Sequence, residues 1–190
     1  NADVIDSMIQ RVPKGAVLLL DEAYGEFAPR GALPSIDTSD PRVLRFRTFS
    51  KAYGLAGIRI GYGFAHDSLI NNLMKVKVPF EPSLIGQAAG MAALDDTGFL
   101  AKTIKTNNDG MAYLTKKFEA LGIEQVPSAA NFITTVWDSE ERASKLTQKL
   151  LENGVIVRPL SAFGWSNCIR ISVGLREENQ KCIQSLKEIL

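Results

Sequence analysis

Arg47-Thr-Phe-Ser-Lys-Ala-Tyr-Gly-Leu-Ala-Gly-Ile-Arg59 is the stretch on which the reading of this chain turns. Just before it, Val43–Thr48 sets Arg45 and Arg47 in alternation with Leu44, Phe46 and Phe49, the period-two pattern of a strand. Beyond it, residues 58–65 read as a further strand, interrupted by Gly61 and Gly63. Lys51 therefore falls on a turn between two strands, among glycines, hydroxyls and a second cation. An isolated lysine is most often a surface residue. This company marks a working amine instead, because a neutral lysine amine can condense with an aldehyde cofactor or a carbonyl substrate.

Upstream, residues 16–20 form the continuous apolar run Ala-Val-Leu-Leu-Leu, the signature of a buried parallel strand. It ends in Asp21-Glu-Ala-Tyr24, which puts polar groups at the carboxyl edge where open α/β sheets bind ligands. Asp21 taken alone serves equally well as the cap of the turn after its strand. Residues 3–12 read as the end of an amphipathic helix, broken by Pro13-Lys-Gly15. Downstream of Ser83 the pattern is helical, with Gln87, Ala88, Met91 and Leu94 on a 3.6-residue period. A long helix follows, striped by Leu100, Ile104, Met111, Leu114, Phe118 and Leu121 and stopped by Gly122. Shorter elements come next: strand 131–136, helix 140–153, short strand 155–157, strand 168–173 and a closing helix over 176–190. The expected fold class is α/β. Residues 1–100 form part of a large domain with a mostly parallel sheet, and residues 101–190 a smaller α+β domain begun by the long connecting helix.

With 190 residues and 45% apolar content, the chain can fill a real core. Its 22 basic and 21 acidic side chains leave a net charge of +1, which argues against nucleic acid or an anionic membrane as the main partner and for a small molecule. No apolar run approaches the roughly 20 residues that span a bilayer. Cys168 and Cys182 lack metal or disulfide spacing and fit core thiols in a reducing cytoplasm. His66, the only histidine, has no companion for a metal site or a triad and reads as a loop or helix-start residue. Trp137 and Trp165 read as packing residues, although Phe163-Gly-Trp165 could also line a substrate mouth. The opening Asn1-Ala-Asp-Val-Ile-Asp-Ser-Met reads as a chain that starts partway through something larger.

The segments Asp21-Glu-Ala-Tyr24, 47–62, Pro127-Ser-Ala-Ala-Asn-Phe132 and Ile169-Arg-Ile-Ser-Val-Gly174 resemble those of fold-type I pyridoxal-phosphate aminotransferases. Within that superfamily they are most similar to the histidinol-phosphate branch. The resemblance implies that Lys51 holds pyridoxal 5'-phosphate covalently and moves a proton between the substrate Cα and the cofactor. It implies that Asp21 pairs with the ring nitrogen, that Tyr24 bonds the phenolic oxygen, and that Arg59, with Thr48 and Ser50, grips the phosphate. Arg170 is implied as the arginine for the substrate's anionic group; alone, it would read as a surface ion-pair partner. The implied substrates are an amino donor and a 2-oxo acid such as 2-oxoglutarate, in histidine biosynthesis, on a cytoplasmic homodimer.

Two departures bear on these expectations. Glu81 stands where the histidinol-phosphate enzymes more usually carry Asn, which brings in an aromatic amino acid aminotransferase as an alternative. Family members also carry a long amino-terminal portion that supplies the glycine turn of the phosphate cup, a ring-stacking aromatic and an asparagine for the phenolic oxygen. By the resemblance, these 190 residues alone bind the cofactor poorly and catalyse little. A decarboxylase of a phosphorylated amino acid on the same fold is the nearest chemical rival. A non-catalytic fragment that self-associates is the alternative of another class.

Overall fold

The computed structural model describes residues 1–190, which divide into two units, Asn1–Thr103 and Ile104–Leu190. In the first, helix α1 (Ala2–Gln10) starts on the side chain of Asn1, which accepts a hydrogen bond from the Val4 amide. Strands β1 (Leu18–Asp21), β2 (Val43–Thr48) and β3 (Gly61–Ala65) form a sheet in that order. β1 and β2 run parallel, with Leu18 opposite Val43 and Asp21 opposite Phe46. β3 is antiparallel to β2, so within this chain the sheet holds one pair of each kind. β3 also begins later than the sequence pattern suggests. Residues Ala56–Ile58 wind into a 3-10 turn that ends on Arg59 in left-handed backbone, φ 58°. Gly61 is required where β3 starts, since a Cβ there would lie 2.6 Å from the Arg47 carbonyl oxygen.

Helices α2 (Asp67–Val76) and α3 (Leu84–Asp95) complete this unit, N-capped by His66 and Ser83 respectively. The face of α3 turned inward is not the apolar period at Gln87, Ala88, Met91 and Leu94, all of which are exposed. It is the small-residue face of Gly86, Ala89, Gly90 and Ala93. A Cβ on Gly90 would stand 3.2 Å from Ile60 and 3.3 Å from Phe49, so close approach selects the smaller side chains here. The apolar run at 16–20 likewise pairs as a parallel strand without being buried on both faces: Leu19 is 59% exposed.

Helix α4 (Thr97–Ala120) leads into the second unit and stops at Gly122, whose φ of 68° closes the helix. Strands β4 (Glu124–Val126), β5 (Phe132–Val136), β6 (Arg158–Leu160) and β7 (Trp165–Ser172) form an antiparallel sheet in the order β4-β5-β7-β6. α5 (Glu140–Glu152) and α6 (Arg176–Ile189) pack on it around Leu114, Phe118, Ile133, Leu150, Ile169 and Leu186. β4 has no clear sequence pattern, and the strand expected at 155–157 forms instead at 158–160, where Arg158 pairs with Arg170. Both cysteines are buried free thiols, and burial pushes that of Cys182 up to about 11. No helix is long and apolar enough to cross a membrane.

Candidate active site

The last rung between β1 and β2 is the Glu22 amide donating to the Phe46 carbonyl at 2.9 Å. Past it the chain leaves the sheet, with the Gly25 amide bonded to the Glu22 carbonyl at 2.8 Å. Asp21, exposed at this strand end, accepts from the Ala23 amide through Oδ1 at 2.9 Å. The turn-capping use of Asp21 is therefore present, on one oxygen of the two. Tyr24 follows, half-buried, and the Nζ of Lys51 lies 5.2 Å from the centroid of its ring. The turn after β1 and the turn after β2 thus bring an amine, a phenol ring and a carboxylate to one end of the sheet.

The lysine turn is held from within. The Leu55 amide donates to the Phe49 carbonyl at 2.9 Å and the Gly54 amide to the Lys51 carbonyl at 3.0 Å, with Gly54 at φ 70°. Thr48 Oγ1 accepts from the Ser50 amide at 3.0 Å and donates to the Ile60 carbonyl at 3.4 Å. Its one hydroxyl hydrogen is therefore engaged inside the turn. Arg59 is exposed, and its guanidinium donates to the Ala56 carbonyl at 2.7 Å. Its left-handed backbone is a conformation that costs a non-glycine residue energy and that concentrates at ligand sites.

A second cluster lies behind this end of the sheet, and the sequence pattern missed it. Strand alternation left Arg45 as a polar interruption, yet it is 2% exposed. Glu22, also buried, accepts from Arg45 Nε at 2.6 Å and from Arg47 Nε at 2.9 Å. Arg45 further donates to the carbonyls of Ser35 at 2.8 Å and Pro34 at 3.1 Å. Burial opposes the charge of Arg47, but Glu22 and the Tyr62 hydroxyl outweigh it and hold its pKa above the ordinary value. Two arginines spaced i, i+2 on a strand share a face and need a counterion, and that spacing was the signal available. Glu26 stands nearby with both carboxylate oxygens buried. Burial raises its pKa, and its own backbone hydrogen bond and Arg47 oppose that rise.

In the second unit, Arg170 lies on β7 with its guanidinium 4.9 Å from the centroid of Phe132 and its Nε buried without a hydrogen-bond partner. Directly opposite stands Arg158 on β6, 5.3 Å from the centroid of Phe163. Residues opposite one another in antiparallel strands project to the same face. The neighbours Ile169 and Ile171 point the other way, into the core. None of the four ion pairs of the chain involves either arginine. Like charges held opposite each other are unfavourable alone and favourable around an anion. Sequence reading stopped its strand one residue short of Arg158, and so missed it. Trp137 donates to Thr135 Oγ1 at 3.0 Å as a packing residue, whereas Trp165 is largely exposed beside this face.

Known proteins resemble this chain over nearly all of its length. A histidinol-phosphate aminotransferase 2 of Legionella pneumophila (strain Lens) is 42% identical over 186 residues, covering 96% of this chain and 50% of that protein. One from Ralstonia nicotianae is 44% identical over 193 residues, covering 100% of this chain and 52% of its own length. The crystal structure of histidinol-phosphate aminotransferase from Sinorhizobium meliloti in complex with pyridoxal-5'-phosphate superposes with a TM-score of 0.92 at 34% identity, over 99% of this chain and 52% of that one. The chain spans about half the length of the curated relatives it matches. Residues 1–186 match the model of the class I and II aminotransferases, and the chain belongs to this family.

Proposed function

We propose that this chain is the lysine-bearing portion of a pyridoxal-phosphate-dependent transaminase that moves an amino group between histidinol phosphate, or a related amino acid, and a 2-oxo acid such as 2-oxoglutarate. The observation that carries this reading is the approach of the Lys51 amine to the Tyr24 ring beside the Asp21 carboxylate. The residues fit the cofactor group by group: an amine for its aldehyde, a carboxylate for its ring nitrogen, a phenol for its phenolic oxygen and a guanidinium for its phosphate. When bound, the cofactor supplies an aldehyde carbon and an electron-withdrawing ring.

Lys51 would hold that aldehyde and supply the amine that carries a proton between the substrate Cα and the cofactor. Asp21, with one oxygen held by the Ala23 amide, keeps the other for a ring N–H and stabilises its positive charge. Tyr24 orients the amine through its ring and offers its hydroxyl to the phenolic oxygen. Arg59 and Ser50 bind the phosphate, while Thr48, its hydrogen already donated, sets the shape of the turn that presents Ser50. Arg170, together with Arg158, receives the anionic end of the substrate, a carboxylate or a phosphate. Residues 1–100 belong to the large cofactor-binding domain and 101–190 to the small one. The whole protein works as a cytoplasmic homodimer in histidine biosynthesis.

Full-length protein mixed with pyridoxal phosphate is expected to show visible absorbance from the lysine-bound cofactor and 2-oxoglutarate-dependent transfer from histidinol phosphate. Lys51→Ala abolishes both. Wild-type turnover in that variant would overturn the assignment, and release of CO₂ without need of an oxo acid would point to a decarboxylase.

A further inference from the structure

The Glu22 carboxylate spans two arginines at a place where the sheet itself no longer joins its strands. Backbone pairing of β1 with β2 ends at the Glu22 amide, and β2 continues through Arg47 and Thr48 bonded only to β3. Asp21 and Tyr24 lie at one side of this parting, and Lys51, three residues after Thr48, at the other. Across it, Glu22 holds Arg47 Nε at 2.9 Å, and it ties back to the paired part of β2 through Arg45 Nε at 2.6 Å. Arg45 and Arg47 are in turn steadied by the ring of Phe64, at 5.4 and 5.8 Å from its centroid.

We infer that Glu22 is a positioning residue for the cofactor site, fastening the end of β1 that carries Asp21 and Tyr24 to the end of β2 that carries Lys51. It cannot act by contact with the ligand that Asp21 meets. Successive side chains in a strand point to opposite faces, and here Asp21 is exposed while Glu22 is buried. Its effect passes through the backbone, as the angle between two turns. Loss of the bridge lets the Lys51 amine and the Tyr24 ring separate, and displacements of about 1 Å at such a site cost rate on the order of a hundredfold. The charge is needed as well as the shape, because two guanidinium groups with no carboxylate between them repel one another in a poorly solvated place.

This inference rests on the reading of Lys51 as the cofactor lysine, and the test separates the two. In full-length protein, Glu22→Gln keeps the size of the side chain and removes its charge. In the cofactor-free variant, hydrogen exchange is expected to quicken in residues 22–28 and 48–56 together, and to stay unchanged in residues 124–190. On titration with pyridoxal phosphate, the dissociation constant is expected to rise about tenfold, with kcat lowered and the KM for the amino donor little changed. Arg47→Lys, which keeps the charge but not the Nε bond, is expected to move each quantity the same way by less, and it decides the matter if Glu22→Gln does not fold. Wild-type cofactor affinity and exchange in the variants that fold would overturn the inference, even if their melting temperatures fall. Failure of the wild-type protein itself to bind pyridoxal phosphate would instead overturn the reading beneath it.

Discussion

Two pairs of arginines sit on aromatic rings in this protein, and only one pair is neutralised. Arg45 and Arg47 lie over the same ring, Phe64, and share the buried carboxylate of Glu22. Arg158 and Arg170 lie over separate rings, Phe163 and Phe132, face each other across β6 and β7, and have no carboxylate. A guanidinium whose charge is already met inside the chain has little left to offer a ligand. One held beside another of the same sign, with a buried N–H unpartnered, is set for an incoming anion. Burial and pairing, more than residue type, distinguish cations already neutralised inside the chain from those left without a carboxylate.

The contrast breaks most sharply at Arg45. Arg45→Ala leaves Glu22 half-paired and two carbonyls without donors, and is expected to lower the unfolding free energy by about 3–5 kcal/mol, read from urea denaturation. A loss below about 1 kcal/mol would remove the distinction between the pairs. Arg170→Gln is expected to leave that free energy unchanged or slightly raised, since a like-charge neighbour is relieved. The same change should raise the KM for a phosphorylated or carboxylated donor about a hundredfold, roughly 3 kcal/mol of lost binding.

Inorganic phosphate sharpens the comparison further. At ten times its dissociation constant it is expected to stabilise the cofactor-loaded protein, in which the Arg59 site is filled, by about 1.4 kcal/mol, and Arg158→Gln should abolish the accompanying shift in Tm. An equal shift in the variant would place phosphate elsewhere. The smallest effect belongs to Glu26, the carboxyl beside the neutralised pair. Its folded pKa is raised above the ordinary 4.5, so the stability it contributes is intact below that value and is lost as pH climbs through the folded pKa. Glu26→Gln is accordingly expected to raise Tm slightly at pH 7 and not at pH 4, by calorimetry at both.

Much of this was legible in order along the chain. Val43–Thr48 is a strand over the very residues that alternate, Gly122 ends its helix, and Lys51 lies on a turn after a strand, because periodicity, breakers and caps are local properties. The face of α3 was not legible. Its apolar period and its small-residue period are both helical, and only the nearness of Ile60 and Phe49 to Gly90 selects between them. Arg158 escaped because its partner across the strands is twelve residues further on, at a spacing that no local rule weighs.

By itself the sequence determined which groups are available and roughly where they stand: the amine of Lys51, the carboxylate of Asp21, the phenol of Tyr24 and the guanidinium of Arg59 at strand ends or turns, and the guanidinium of Arg170 within a strand. These follow from residue identity and from patterns a few residues long. Tertiary structure decided how each group is engaged. It turned Thr48 inward to hold its own loop, buried Glu22 between Arg45 and Arg47, and set Arg158 against Arg170. Charge and hydrogen-bond capacity act through space over a few ångströms, and separation along the chain does not encode that distance.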